Sequence, residues 1–184
     1  VAFQPYANRW LIFIAYMVGL SIGVHLLNLL VIPAIVFIYY FKKYETTKWG
    51  IIKSAALSIV ILGVIMWGII PGVIIVAGWF ELLFVNGFGM PFNTGVVIYA
   101  LLLIAGLTFG IRYTLKHNHT VVNTILTCFV VMLIGYSCYA MVVIRSVSNP
   151  PIDENSPDNV FSLLSYISRD QYGQEPLVYG PYFN

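Results

Sequence analysis

No Asp, Glu, Lys or Arg interrupts the chain between Trp10 and Phe41, a run of 32 positions. As one straight helix this run would be about 48 Å long, whereas roughly 20 residues cross the hydrocarbon of a bilayer. Gly19, Ser21 and Gly23 offer a break, so the pattern predicts a short helix at 10–20 and a second at about 24–41, kinked at Pro33. A single tilted, kinked helix is the alternative. The next apolar run, from Gly50 to Met90, is longer still. Pro71-Gly72 is expected to divide it into a span at about 50–69 and a re-entrant or interfacial piece at about 72–85, which ends in the turn cluster Asn86-Gly87-Phe88-Gly89-Met90-Pro91. Two further spans are predicted at about 94–111 and 120–144.

Beyond Arg145 the pattern changes. The segment 146–184 holds five of the seven acidic residues and the pair Pro150-Pro151. Ser156-Pro157 reads as an N-cap and first-turn pair. Val160, Phe161, Leu163, Leu164 and Ile167 then follow at helical spacing. This predicts a linker, an amphipathic helix at about 157–168 and an extended stretch rich in Gly, Pro and Tyr.

Composition agrees with a membrane protein. Of 184 residues, 60% are hydrophobic and 9% charged, and mean hydropathy is +0.88; soluble domains carry about 25% charged residues. The fold class is therefore all-α, a polytopic transmembrane helix bundle over 1–145 leading into an extracytoplasmic segment. A net charge of +2 is too small and dispersed for a nucleic-acid partner. Lys42, Lys43, Lys48 and Lys53 flank one loop and Arg112 and Lys116 another. With the 72–91 piece interfacial, both loops fall on one side, which the positive-inside rule makes cytoplasmic; segment 71–93 and the tail then face outward. Cys128 and Cys138, ten positions apart, lie about 15 Å apart along a helix and out of disulfide reach. No cleavable signal opens the chain, and its two ends suggest a piece of a longer polypeptide.

Candidate chemistry is sparse. On a continuous helix Ser21, His25 and Asn28 would form one polar stripe. It would serve either as a ligand or proton-handling surface in a wet cavity or as interhelical hydrogen bonding. Glu81 could bind metal or act as a base, but with no second acid nearby it reads better as a solvated charge on an interfacial helix. His117 and His119 fit a cytoplasmic polar loop better than a metal site. The pairs Gly19/Gly23, Gly68/Gly72 and Gly106/Gly110 permit close helix approach. Arg169 can offer a bidentate fork to phosphate or carboxylate, with Asp170 as base or partner and Tyr166 and Tyr172 as stacking surfaces. A helix end closed by Gly173 explains much of that cluster structurally.

Two stretches carry a family resemblance. Gly19-Leu20-Ser21-Ile22-Gly23-Val24-His25-Leu26-Leu27-Asn28-Leu29-Leu30, running on to Lys42-Lys43, resembles a hallmark of large polytopic membrane proteins of Bacteroidetes, the DUF2723 family. So do Asn149-Pro150-Pro151-Ile152-Asp153-Glu154-Asn155 and Leu164-Ser165-Tyr166-Ile167-Ser168-Arg169-Asp170-Gln171-Tyr172-Gly173, where the family commonly has Arg-Glu-Gln-Tyr-Gly. The family is related to protein O-mannosyltransferases of the GT-C type. The resemblance implies transfer of a sugar from a polyprenyl-phosphate carrier to a hydroxyl of an extracytoplasmic acceptor protein, in a bacterial inner membrane with the tail in the periplasm. A divalent cation is optional and no metal ligands are assigned. The implied catalytic carboxylate would lie upstream of Val1, leaving His25, Asn28, Glu81, Arg169, Asp170 and Tyr172 as substrate-binding candidates. The rival reading is a non-catalytic membrane subunit, a scaffold in an envelope, secretion or motility complex.

Overall fold

The computed structural model describes residues 7–173. The elements in it are helical throughout: α1 (Ala7–Ile22), a 3-10 turn (Leu26–Leu30), α2 (Val31–Lys43), α3 (Lys48–Gly63), α4 (Ile70–Leu82), α5 (Thr94–Lys116), α6 (Thr120–Tyr136), α7 (Tyr139–Val147) and α8 (Val160–Ser168), with a short 3-10 turn at Asp170–Tyr172. Four helical stretches are long and apolar enough to cross a membrane: Leu26–Lys43, Lys48–Gly87, Thr94–Lys116 and Thr120–Val147. The extended stretch expected beyond Gly173 lies outside the described residues.

The first run does break after Ile22, as Gly23 suggested, and resumes through the 3-10 turn into α2. The second run does not break. Residues 48–87 form one helical rod of 40 residues, about 60 Å long and twice the hydrocarbon thickness. Pro71 falls in the first turn of α4, directly after a π-helical segment at Val64–Ile69. The wider i→i+5 turn redistributes the carbonyls that a proline would otherwise orphan, so the ladder continues. A second π segment, Leu83–Gly87, closes the rod, in place of the separate 72–85 piece expected from the sequence.

The rod changes partners along its length. Its first half, α3, packs on α2, and its second half, α4, packs on α5 and on α8; the 64–69 segment separates the two. Tyr40 and Thr47 hold the α2–α3 turn. The Tyr40 hydroxyl accepts from the Thr47 amide at 3.0 Å and donates to the Glu45 carbonyl at 3.0 Å, while Thr47 Oγ1 caps α3 by accepting from Gly50 N at 3.0 Å. At the α5–α6 turn Asn123 donates to Thr114 Oγ1 at 2.9 Å and the Ile111 carbonyl at 3.3 Å.

α1 crosses α6 where glycines remove the side chains between them. A Cβ on Gly19 would lie 2.2 Å from the Met132 carbonyl oxygen, and one on Gly135 would meet the α1 backbone at 2.6 Å. Gly23 abuts Cys138 and Gly110 abuts Leu126. Gly68, Gly72 and Gly106, by contrast, face no other helix at close range, so the Gly68/Gly72 pair makes no helix contact and the Gly106/Gly110 pair makes one through Gly110 alone. The predicted span at 120–144 is bent at Ser137-Cys138, between α6 and α7. One apolar cluster joins Ile22, Leu29, Ile70, Ile74, Tyr136 and Ile167, so α1, the 3-10 turn, α4, α6 and α8 converge on a common core.

α8 begins at Val160, not near Ser156. Asn159 is its N-cap: Oδ1 accepts from Phe161 N at 2.9 Å and Ser162 N at 3.0 Å, and Ser162 Oγ accepts from Asn159 N at 3.1 Å. That reciprocal pair leaves Ser156 in the preceding turn with φ +40.

Candidate functional site

The structure separates the residues singled out from the sequence into three places. His25 does not continue the α1 helix. It is exposed, with extended backbone, and caps the 3-10 turn by accepting from Leu27 N through Nδ1 at 3.1 Å. The helical stripe through Ser21, His25 and Asn28 is therefore absent, because the break at Gly23 resets the helical phase. Asn28 still reaches back, its amide donating to the Ser21 carbonyl at 3.4 Å.

Glu81 is the clearest departure from the sequence reading. It is 1% exposed, so it is not a solvated interfacial charge. Oε1 accepts from the Asn93 amide at 2.5 Å and Oε2 from the Val96 amide at 3.1 Å. These are donors at the start of α5, which no residue of α5 itself can satisfy, and the carboxylate also meets the positive end of that helix. Gly95 makes the approach feasible: a Cβ there would lie 2.4 Å from Glu81 Cα. Asn93, at φ +70, turns the chain into position. A carboxylate with both oxygens so committed fastens α5 to α4.

The third place is the tail. Arg169, not Gly173, ends α8; it sits in the left-handed region at φ 59, ψ 34, the conformation in which glycine usually closes a helix. Asp170 and Tyr172 belong to the 3-10 turn that follows, and Gly173, at φ +70, ends that turn. Tyr139, on α7, packs against the same apolar core as Ile167 of α8. The Tyr139 hydroxyl in turn donates to the Ile22 carbonyl at 3.3 Å, at the last residue of α1. Tyr139 thus joins α7 to the end of α1, on the core that also holds Leu29 of the 3-10 turn and Ile167 of α8. Glu81 has no part in that group.

Sequence reasoning passed over a cleft of about 140 Å³ between α7, the linker and α8, lined by Arg145, Ser146, Pro150, Asp153, Glu154 and Tyr166 among others. Ser146, 3% exposed, donates to Asp153 Oδ2 at 2.7 Å and fixes that carboxylate. Pro157, in the linker, is buried and also lines the cleft. The Asn149–Asn155 motif and the Tyr166 motif, sixteen or so positions apart, are thereby brought to one opening. Among the described residues no group of three His, Cys, Asp or Glu side chains stands together as a metal site.

Comparison with known families gives one match. A model of the protein O-mannosyl-transferase TMEM260 N-terminal domain fits residues 2–48, about a quarter of the chain, covering α1, the His25 turn and α2. No curated protein and no solved structure matches.

Proposed function

We propose that this chain is part of a membrane-embedded glycosyltransferase of the GT-C type, within the DUF2723 group of Bacteroidetes. It would take a sugar from a polyprenyl-phosphate carrier to a hydroxyl on an extracytoplasmic protein. The observation that carries this reading is the match of residues 2–48 to the O-mannosyl-transferase domain. The helix count supports the sidedness such an enzyme needs. The rod and α5 are two passages between the basic loop at Lys42–Lys48 and the loop after Lys116, so both loops lie at one end. α8 packs on α4, the half of the rod remote from Lys48. Together with the positive-inside rule this favours a tail on the periplasmic side of an inner-membrane protein.

In this reading Arg169, Asp170 and Tyr172 of the tail and the His25–Asn28 turn contribute to donor and acceptor binding. No residue of the described chain is assigned the role of catalytic base. The described residues offer no ligand set for a divalent cation, and no step is assigned to one. Deleting the gene and measuring glycan occupancy on periplasmic proteins by mass spectrometry tests the proposal. Loss of a hexose from Ser or Thr sites, restored by complementation, supports it. Unchanged occupancy returns the chain to the role of a scaffold.

A further inference from the structure

We infer that the cleft between α7 and the tail holds the headgroup of a zwitterionic phospholipid bearing a primary ammonium, of the ethanolamine kind. Depth is the first argument. The helical stretch Thr120–Val147 has 28 residues with a turn at Ser137-Cys138, so it rises at most about 42 Å, enough to pass the hydrocarbon and reach the headgroup layer. Arg145, in the last turn of α7, therefore stands at headgroup level. Met141, Ile144 and Val147 on the same helix are exposed and apolar, a surface along which acyl chains can lie.

Charge is the second. The lining sets one guanidinium, Arg145, against two carboxylates, Asp153 and Glu154, with the ring of Tyr166 beside them. A phosphodiester suits Arg145 through charge-assisted hydrogen bonds. An adjacent ammonium suits the two carboxylates and an aromatic face. A lipid with phosphate alone would answer Arg145 and leave Asp153 unmatched. A choline headgroup carries the positive charge but no N–H to donate. Ser146 strengthens the case, since its buried hydroxyl holds Asp153 in place before any ligand arrives. The cleft, at about 140 Å³, falls below the 300 Å³ or more of pockets for drug-sized ligands, so it accepts a headgroup rather than a whole lipid.

The test uses the purified full chain, delipidated in detergent, with phosphatidylethanolamine, phosphatidylcholine and phosphatidylglycerol of identical acyl chains, and reads bound lipid by native mass spectrometry. Phosphatidylethanolamine is expected to bind at least about tenfold more tightly than either of the others. Arg145→Gln should weaken it by a similar factor. Asp153→Asn combined with Glu154→Gln should erase its advantage over phosphatidylcholine, while Lys48→Ala, at the opposite end, leaves it intact. Should the double variant misfold, the wild-type lipid series and Arg145→Gln still decide. Equal binding of ethanolamine and choline lipids, tighter binding of phosphatidylglycerol, or undiminished binding in Arg145→Gln would each overturn the inference. The readout is binding alone, so it stands or falls independently of transferase activity.

Discussion

The hydroxyl of Tyr136 donates to the carbonyl of Ile70 at 2.9 Å, across 66 positions of sequence. It ties the end of α6 to the rod at the residue before Pro71, where the π segment meets α4. Tyr136→Phe keeps the ring and removes only this bond. The expected cost is about 0.6–1.5 kcal/mol, seen as a lower thermal midpoint in detergent; an unchanged midpoint would show that the rod is held there by packing alone.

Glu81 and Gly95 should prove a matched pair. Glu81→Gln replaces one acceptor oxygen with a donor facing a backbone N–H, and should destabilise by about 1.5–3 kcal/mol. Gly95→Ala drives a methyl into the α4 backbone and should do at least as much damage, with no flexible side chain able to yield. Because both variants undo the same junction, the double variant should cost less than the sum of the two. Thermal unfolding of the four proteins gives the coupling directly, and strict additivity would contradict it.

The sidedness can be read by labelling whole cells with an impermeant thiol reagent, after replacing Cys128 and Cys138. Cysteine at Ser156 should react and cysteine at Lys48 should not. The reverse pattern would invert the whole arrangement.

Arg169 occupies a backbone conformation that favours glycine, and this separates its chemistry from its structural role. Arg169→Gly relieves the left-handed backbone by up to about 1 kcal/mol, set against the side-chain interactions it removes, and should lose most glycan transfer. Arg169→Lys should also lose transfer, since an ammonium lacks the planar two-pronged geometry. Full glycan occupancy in the Arg169→Gly strain would remove this residue from the donor site.

How much of this was legible in the sequence differs by element. The all-helical membrane character and the break at Gly23 follow from the apolar runs and glycine placement. The stripe through His25 was read across that same break, and the two readings exclude each other; the break governs, because helical phase is lost once the ladder stops. Pro71-Gly72 reads locally as an interruption, and only the π segment before it lets the rod continue. The burial of Glu81 left no trace in composition or spacing, because its partners are backbone amides of residues 93 and 96, which carry no side-chain signature. Asn93, which tolerates a left-handed turn, and Gly95, which permits close approach, were the available hints. Asn159 lay in plain sight as an N-cap, with Ser162 three positions later, but Ser156-Pro157 offered the more familiar pair.

A π turn accommodates one residue more than an α turn, so each such segment rotates everything after it by roughly 100° about the helix axis. The Val64–Ile69 segment thus acts as an angular offset between the face that α3 shows to α2 and the face that α4 shows to α5. Removing a single residue there would leave the rod helical and nearly as long. It would also swing Glu81 about a quarter-turn away from the amides of α5, and the molecule would come apart at a junction more than two helical turns from the change.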